Sequence, residues 1–129
     1  MRRFAIALIA VAAFFTTVSN LSAQTVHEVK MVDISLTSFA FEPADITVNR
    51  GDIIRWTNAG TLGMPHNVEF REGGLSGLVG PLLLSAGDTY ELTVDDQFIA
   101  GLNPYLCTPH EAMGMKGTVT VVETEGSSN

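Results

Sequence analysis

Short runs of alternating apolar and polar residues, separated by turn-forming residues, fill most of the chain after residue 24. Val32, Ile34 and Leu36 alternate with polar neighbours, and the run 46–48 leads through Asn49-Arg50-Gly51-Asp52 into the run 53–56. Alternation with a period of two is typical of strands that bury one face. Polar and glycine-containing segments between such runs favour turns. This half of the chain is therefore predicted to form strands.

The second half of the chain continues the same pattern. Further strands are predicted around 66–70, 90–94 and 119–121. The segment 73–84 combines glycines with Leu82-Leu83-Leu84, so we expect a loop that packs over the core. About seven strands, with turn signals at intervals of roughly ten residues, predict an all-β architecture of two packed antiparallel sheets.

The N-terminus has a different composition. Arg2 and Arg3 precede an uncharged apolar run over 4–15, and small and polar residues follow up to Ala23. This is the layout of a secretory signal peptide, and the run is shorter than the roughly 20 residues needed to cross a bilayer. We expect residues 1–23 to be a signal peptide, with export to the periplasm or otherwise out of the cytoplasm and no stable membrane span. An uncleaved anchor is the alternative.

Residues 24–129 are then long enough for one domain, which we expect to be a monomer. Loss of Arg2 and Arg3 would change the net charge from −7 to about −9. So acidic a surface argues against nucleic-acid binding, and it favours partners that have a basic docking face.

One cysteine, Cys107, excludes a disulfide within the chain. It lies in a stretch that presents a thiol, the imidazole of His110 and the thioethers of Met113 and Met115 within nine residues. His66, at the start of an earlier run, can add a second imidazole. Thiolate and thioether sulfur suit Cu(I) and imidazole suits Cu(II), so this set favours a copper site. Zinc could also be held by the thiolate and the two imidazoles.

Several motifs resemble the cupredoxin family, and most closely its pseudoazurin, amicyanin and plastocyanin-like members. They are Phe41-Glu42-Pro43, Val48-Asn49-Arg50-Gly51-Asp52, Trp56-Thr57-Asn58, Pro65-His66-Asn67-Val68 and the cysteine loop, and they span roughly residues 39–122. The resemblance implies a cupredoxin-like Greek-key β-sandwich of about seven to eight strands. It also implies one type 1 copper ion, Cu(I) or Cu(II), held by His66, Cys107, His110 and Met115. Met113 is the alternative axial ligand.

The resemblance implies supporting roles too. Asn67 is expected to form a hydrogen bond with Thr108 and to direct its backbone amide toward the Cys107 sulfur. Pro109 has no amide N–H, so it is not expected to give the sulfur a second donor. His110 is expected to be the route by which electrons enter and leave, through an apolar patch. Candidates for that patch are Pro65, Pro109, Ala112 and Met113.

The function that follows is a soluble, exported carrier of single electrons between redox proteins, for example a cytochrome or a dehydrogenase or oxidase. A copper storage or delivery protein is the alternative. We do not expect an enzyme. A copper enzyme such as a nitrite reductase or a multicopper oxidase needs further copper ions held by additional histidines, and only His27 is left over. His27 is expected to be a solvated tail residue, or a Cu(II) ligand if processing made it the third residue.

Overall fold

The computed structural model of the protein describes residues 23–123, so the predicted signal peptide, apart from Ala23, lies outside the described residues. Within these residues seven strands form two sheets, which confirms the predicted all-β sandwich. The strands are β1 (Val26–Ser35), β2 (Ser38–Glu42), β3 (Asp45–Asn49), β4 (Ile53–Asn58), β5 (Thr89–Thr93), β6 (Gly101–Leu106) and β7 (Lys116–Val122). Two short 3-10 helices cover Gly73–Leu75 and Thr108–Met113. Within this part of the chain, no helix has the length and apolar character that a bilayer span requires.

One sheet has the strand order β2-β1-β4-β5 and the other β3-β7-β6. β1 runs parallel to β4 and β3 runs parallel to β7, whereas all other neighbours are antiparallel. The expectation of purely antiparallel sheets is therefore wrong. A parallel pair cannot be closed by a hairpin, so the chain must leave one sheet and return to it, as it does between β1 and β4.

The space between the sheets is filled mainly by aromatic side chains. Trp56 and Phe70 are fully buried, and Phe41 and Tyr105 are nearly so. The Tyr105 ring meets the rings of Phe41, Trp56 and Phe70 at centroid distances of 4.7, 5.5 and 5.6 Å. Such edge-to-face and tilted contacts add to the burial of apolar area and give a stiff core next to the end of β6.

The inward face of β1 differs from the prediction. Ile34 and Leu36, expected to alternate inward, are 62% and 71% exposed, and Leu36 lies beyond the end of the strand. Val29 and Met31 point into the core instead. The next inward position is Asp33, whose side chain is completely buried. β1 therefore directs the carboxylate of Asp33, and not the side chain of Ile34, into the sandwich, where it contacts His66.

Residues 66–70 are not a regular strand, although their alternation predicted one. They form isolated bridges, His66 with Leu83 and Glu69 with both Val79 and Leu106. The partner changes along the segment, so no continuous ladder forms. The 73–84 loop does pack over the core, but of its three consecutive leucines only Leu83 is buried.

His27 is not a tail residue. It lies within β1, and its Nε2 is 2.8 Å from Oδ2 of Asp52, which is itself 4% exposed. Asp52 also accepts hydrogen bonds from the backbone N–H groups of Thr25 and Asn49. Burial alone would raise the pKa of Asp52, but these hydrogen bonds together hold it below its ordinary value. The carboxylate thus fastens the start of β1 to the β3–β4 turn.

We predict that Asp52→Asn lowers the free energy of unfolding of the copper-free protein by about 1–3 kcal/mol at pH 7, because the hydrogen bonds lose their charged acceptor. A carboxyl group with a depressed pKa in the folded state stabilises the protein above its unfolded pKa, near 3.9, and loses this effect as the pH falls. The difference between variant and wild type should therefore shrink below about pH 4. Urea unfolding at a series of pH values measures it.

Asp96→Asn is the matched control, since Asp96 is exposed and has no side-chain hydrogen bond among those found in the described residues. Its effect should stay within about 0.5 kcal/mol. An Asp52→Asn effect as small as the control's would contradict the role given to Asp52.

Candidate metal centre

Two segments at the same end of the sandwich carry the predicted ligands. His66 follows the loop after β4, and its backbone exchanges two hydrogen bonds with Leu83, of 3.2 and 2.7 Å. Cys107 follows β6 directly, and His110 lies in the 3-10 helix Thr108–Met113. His66 and Cys107 are completely buried and His110 is 3% exposed.

The structure brings three ligand atoms together. His66 Nδ1 lies 3.8 Å from Cys107 Sγ and 3.2 Å from His110 Nδ1, and His110 Nδ1 lies 3.5 Å from Cys107 Sγ. Zn²⁺, a first-row ion, is held at about 2.0–2.1 Å by imidazole nitrogen and about 2.3 Å by thiolate sulfur, so its tetrahedral ligand atoms lie roughly 3.3–3.7 Å apart. The three atoms thus have the spacing that one first-row metal ion requires.

The protonation of the two imidazoles suits a metal ion. His66 Nε2 is 2.8 Å from Oδ1 of Asp33, so donation of the Nε2–H to this carboxylate leaves the Nδ1 lone pair facing Cys107 and His110. Burial lowers the pKa of His110, and the proximity of His66 adds to this. His110 therefore stays neutral, and able to bind a metal, to lower pH than an ordinary histidine.

Burial raises the pKa of the Cys107 thiol. Hydrogen bonds from the backbone N–H groups of Asn67 and His110 act in the opposite direction without cancelling it. The amide of Asn67 thus has the predicted role. Pro109 was expected to leave the sulfur with a single amide donor. The amide of His110 supplies a second one instead. A buried thiol of this kind becomes a thiolate when a cation replaces its proton.

The two candidate axial methionines have different surroundings. Met115 is completely buried in the core cluster, whereas Met113 is 46% exposed. Between them Gly114 has φ 78° and ψ 18°, a left-handed conformation that glycine adopts readily. This turn ends the 3-10 helix and returns the chain, so that the Met115 N–H bonds to His110 O at 3.2 Å and Met115 O accepts from the Cys107 N–H at 3.0 Å.

The predicted bond between Asn67 and Thr108 is confirmed, and it is reciprocal. Asn67 Nδ2 donates to Thr108 Oγ1 at 2.9 Å, and the Thr108 N–H donates to Asn67 Oδ1 at 2.7 Å. One of these residues follows the first histidine and the other follows the cysteine. The two ligand-bearing segments are therefore fastened together next to the site.

Charged side chains extend the Asn67–Thr108 hydrogen bonds, which was not apparent from the sequence. Thr108 Oγ1 donates to Glu69 Oε2 at 2.8 Å, and Arg71 bridges Glu69 to Glu111 with hydrogen bonds of 2.9 and 2.7 Å. Hydrogen bonds from Arg71 and Thr108 lower the pKa of Glu69. The spacing of Glu69 and Arg71 on one face of an extended segment was the available signal, but Glu111 lies 40 residues further along the chain.

Phe39 was also missed as a site residue. Its ring stacks on the His110 ring with centroids 3.8 Å apart and an interplanar angle of 22°, and it meets the His66 ring edge-on at 5.9 Å. Phe39 is 4% exposed and lies in β2. It restricts the ring of His110 from the side of the core.

Comparison with known proteins agrees with this geometry. Residues 27–122 match the family of copper binding proteins described as the plastocyanin/azurin family. A plastocyanin of Nostoc punctiforme is 35% identical over 135 residues, covering 94% of this chain and 94% of that protein. A plastocyanin of Scenedesmus fuscus is 34% identical over 91 residues, covering 65% of this chain and 88% of that protein.

Solved structures give the same result. A reduced Cu(I) form of an amicyanin variant superposes with a TM-score of 0.60 at 31% identity, covering 79% of this chain and 87% of that one. A plastocyanin variant of fern, solved oxidized and reduced, gives 0.61 at 27% identity, covering 74% and 99%. Proteins of this family are electron-transfer cupredoxins that bind one copper ion and are not enzymes. The chain belongs to the copper-binding plastocyanin/azurin family.

Proposed function

We propose that this protein is a soluble, exported carrier that moves single electrons between redox partners at one type 1 copper ion. The ligands in this proposal are His66, Cys107, His110 and Met115. The N-terminal pattern of cationic, apolar and small residues supports export, and cleavage before Gln24 is part of the proposal.

The observation that carries the proposal is the convergence of two imidazole nitrogens and one cysteine sulfur, 3.2 to 3.8 Å apart, inside a packed sandwich. A copper ion bound there supplies a one-electron couple between Cu(I) and Cu(II). The donor set suits copper because sulfur favours Cu(I) and imidazole favours Cu(II). The buried thioether of Met115 adds a soft donor that zinc would not need.

The protein's own contribution is to keep the donors in place. The Asn67–Thr108 pair holds the two ligand segments together, and Phe39 packs against His110. Donors that are fixed by the fold before and after electron transfer require little rearrangement when the charge of the ion changes. Fast exchange with a partner is the consequence.

The partner is proposed to dock where His110 comes nearest to the surface. Pro109, Ala112 and Met113 of the cysteine loop are exposed there, and Pro65 is partly exposed. Leu36 and Leu62, from the loops that flank Asp33, add exposed apolar area on the same end of the sandwich. The acidic net charge favours a redox partner with a basic face around an apolar centre, so association should weaken with increasing salt.

Copper storage or delivery is less well supported. Rapid transfer of the ion requires a route for the acceptor's ligands, and two of the three clustered ligands here are completely buried. The reciprocal Asn67–Thr108 bonds also oppose opening of the two segments.

We predict that copper reconstitution of the mature protein gives an intense visible thiolate-to-copper band and reversible one-electron voltammetry. Cys107→Ser should abolish the band, because the hydroxyl cannot replace the thiolate donor. The measurements are absorption spectroscopy and protein-film voltammetry. His27→Gln is the control, since it removes a histidine outside the cluster and should leave the band unchanged.

A colourless, voltammetrically silent protein after copper addition would refute the electron-carrier function. Slow self-exchange of electrons, combined with rapid release of Cu(I) to a competing chelator, would instead favour storage or delivery. Self-exchange is measured by line broadening in mixtures of the oxidised and reduced protein.

Substitution of the two methionines tests the axial ligand. We predict that Met115→Leu raises the reduction potential and alters the visible spectrum, because the axial ligand tunes a site of this type. Met113→Leu is the matched control and should change neither, since Met113 is half-exposed. The opposite pattern would assign the axial position to Met113.

We further predict that binding of Cu(I) to the copper-free protein at roughly pH 7–8 releases one proton from Cys107. Burial raises the pKa of the thiol, so it is protonated before binding and must lose its proton to coordinate. The affinity should therefore increase about tenfold per pH unit in this range. Calorimetric titrations in buffers with different ionisation enthalpies count the protons, and release of none would contradict the prediction.

A further inference from the structure

We propose that Asp33 is a positioning residue for the metal centre, whose buried carboxylate orients His66 and shifts the copper couple toward Cu(II). The inference rests on the proposed role of His66 as a copper ligand. It concerns a residue that no ligand motif contains and that lies in β1, the first strand of the fold.

The contacts of Asp33 define a built site for a carboxylate. Its side chain is completely buried, Oδ1 is 2.8 Å from His66 Nε2, and Oδ2 accepts the backbone N–H of Leu62 at 2.8 Å. Leu62 belongs to the loop that leads from β4 to His66. One side chain thus fixes both the imidazole and the backbone of the segment that presents it.

Gly60 makes room for this carboxylate. A Cβ built at Gly60 would overlap Oδ2, Cγ and Oδ1 of Asp33. Gly60 has no positive φ, so its conformation does not require glycine, and the close approach of Asp33 is the reason why a side chain is excluded. Two positions that are far apart in the sequence are therefore matched to one another.

The first effect of the bond is on the imidazole itself. Asp33 Oδ2 accepts the Leu62 N–H, and an ionised Asp33 accepts the Nε2–H of neutral His66 at Oδ1, the Nε2 and Oδ1 atoms being 2.8 Å apart. The proton of neutral His66 is then on Nε2, and Nδ1 offers its lone pair toward Cys107 and His110. A hydrogen bond of this kind also makes the coordinating nitrogen a stronger donor.

The second effect is electrostatic. Among the described residues, no lysine or arginine forms a salt bridge with Asp33, and its only ionic partner is His66. A buried negative charge without a nearby cation acts strongly on its surroundings because solvent screens it little. With the Cys107 thiolate, it balances the two charges of Cu(II) and leaves one negative charge in excess with Cu(I). The carboxylate therefore favours the oxidised state.

The position of Asp33 in the sheet extends the argument to the other imidazole. Asp33 is paired with Phe39 across the β1–β2 ladder, and Phe39 stacks on His110. Directly opposed residues share one face of a sheet. This single cross-strand pair thus supports both histidines. Asp33 does so by a charged hydrogen bond to His66, and Phe39 by its ring contact with His110.

The test compares Asp33→Asn with Asp52→Asn in the copper-loaded protein. Asp52 is the ideal control because it is also a buried carboxylate 2.8 Å from a histidine Nε2, but its partner His27 lies six residues, roughly 20 Å, back along β1. We expect Asp33→Asn to lower the affinity for Cu(II) about tenfold or more. Affinity for Cu(I) should fall less, so the potential should rise, by 59 mV for each tenfold change in the ratio of the two affinities. Asp52→Asn should lower stability and leave the potential unchanged.

A blue wild-type protein in which Asp33→Asn and Asp52→Asn have the same potential would overturn the inference and leave the electron-carrier function intact. So would an Asp33→Asn variant that loses stability equally with and without copper at an unshifted potential. A wild type that binds no copper would refute the proposed function instead, so the two failures are distinguishable.

A second measurement uses the wild-type protein and does not depend on the folding of a variant. In the copper-free protein at about pH 8, ¹⁵N shifts of His66 should report the Nε2–H tautomer, with slow exchange of that proton. A His66 that carries its proton on Nδ1, or that exchanges between tautomers, would overturn the inference.

The Gly60→Ala variant should reproduce the rise in potential of Asp33→Asn. Added to Asp33→Ala, it should have little effect on the potential relative to Asp33→Ala alone.

Discussion

The reciprocal hydrogen bonds between Asn67 and Thr108 are the contact on which the metal centre depends most. They join segments that are 41 residues apart in the chain and that carry His66 on one side and Cys107 and His110 on the other. Neither segment is a regular strand or a long helix at this point, so secondary structure alone would not fix their separation. A side-chain amide that both donates and accepts fixes distance and orientation together. The ligand atoms are thus in position before a metal ion binds.

The first two strands give the support that these loops lack. β1 and β2 are far from the cysteine loop in sequence, yet Asp33 and Phe39 reach the two imidazoles from one position of their ladder. Strands hold their side chains more firmly than loops do, and here the backbone of β1 is paired on both sides while that of β2 is paired with β1. The imidazoles are therefore supported by the sheet, while Cys107 and Met115 are held by the turn between them, through the hydrogen bond from the Cys107 N–H to Met115 O. This division leaves the cysteine loop free to present His110 and Met113 near the surface without loosening the ligands.

The sequence was sufficient for the fold class and the ligand cluster because both are recorded in short, local patterns. The alternating runs predicted about seven strands and located β1, β3, β4, β5 and β7, though not β2 or β6, and one loop contains three of the four proposed ligands. The face of β1 could not be predicted in the same way. Ile34 and Leu36 suggested the wrong register, since the inward position is occupied by a charged residue whose partner is 33 residues further along the chain. Periodicity assigns apolar residues to the core, and it fails where a buried carboxylate bonds to a partner distant in the chain.

The same reason explains the other errors. Residues 66–70 alternate between apolar and polar types in the sequence, but a strand also needs one continuous partner, and here Glu69 bridges to both Val79 and Leu106. His27 was assigned to solvent because nothing in its neighbourhood identified Asp52 as a partner. In each case the missing information was a contact between residues distant in the chain.

The buried polar groups explain how a chain without a disulfide can hold such a site. Asp52, Asn58, Asn67 and Asn103 are all buried, and each makes hydrogen bonds with loop or turn backbone. Burying these groups is favourable only because their partners are in place, so each one restricts the conformations that the loops can adopt. The metal-binding atoms of His66, Cys107 and His110 are the exception, since in the absence of a cation they have mainly one another as polar neighbours. Binding of an ion removes that cost and links the two ligand segments through the metal. The free energy of metal binding and the free energy of folding are therefore linked in this protein. The rest of the polar network does not depend on the ion, so it can keep the site dry and rigid.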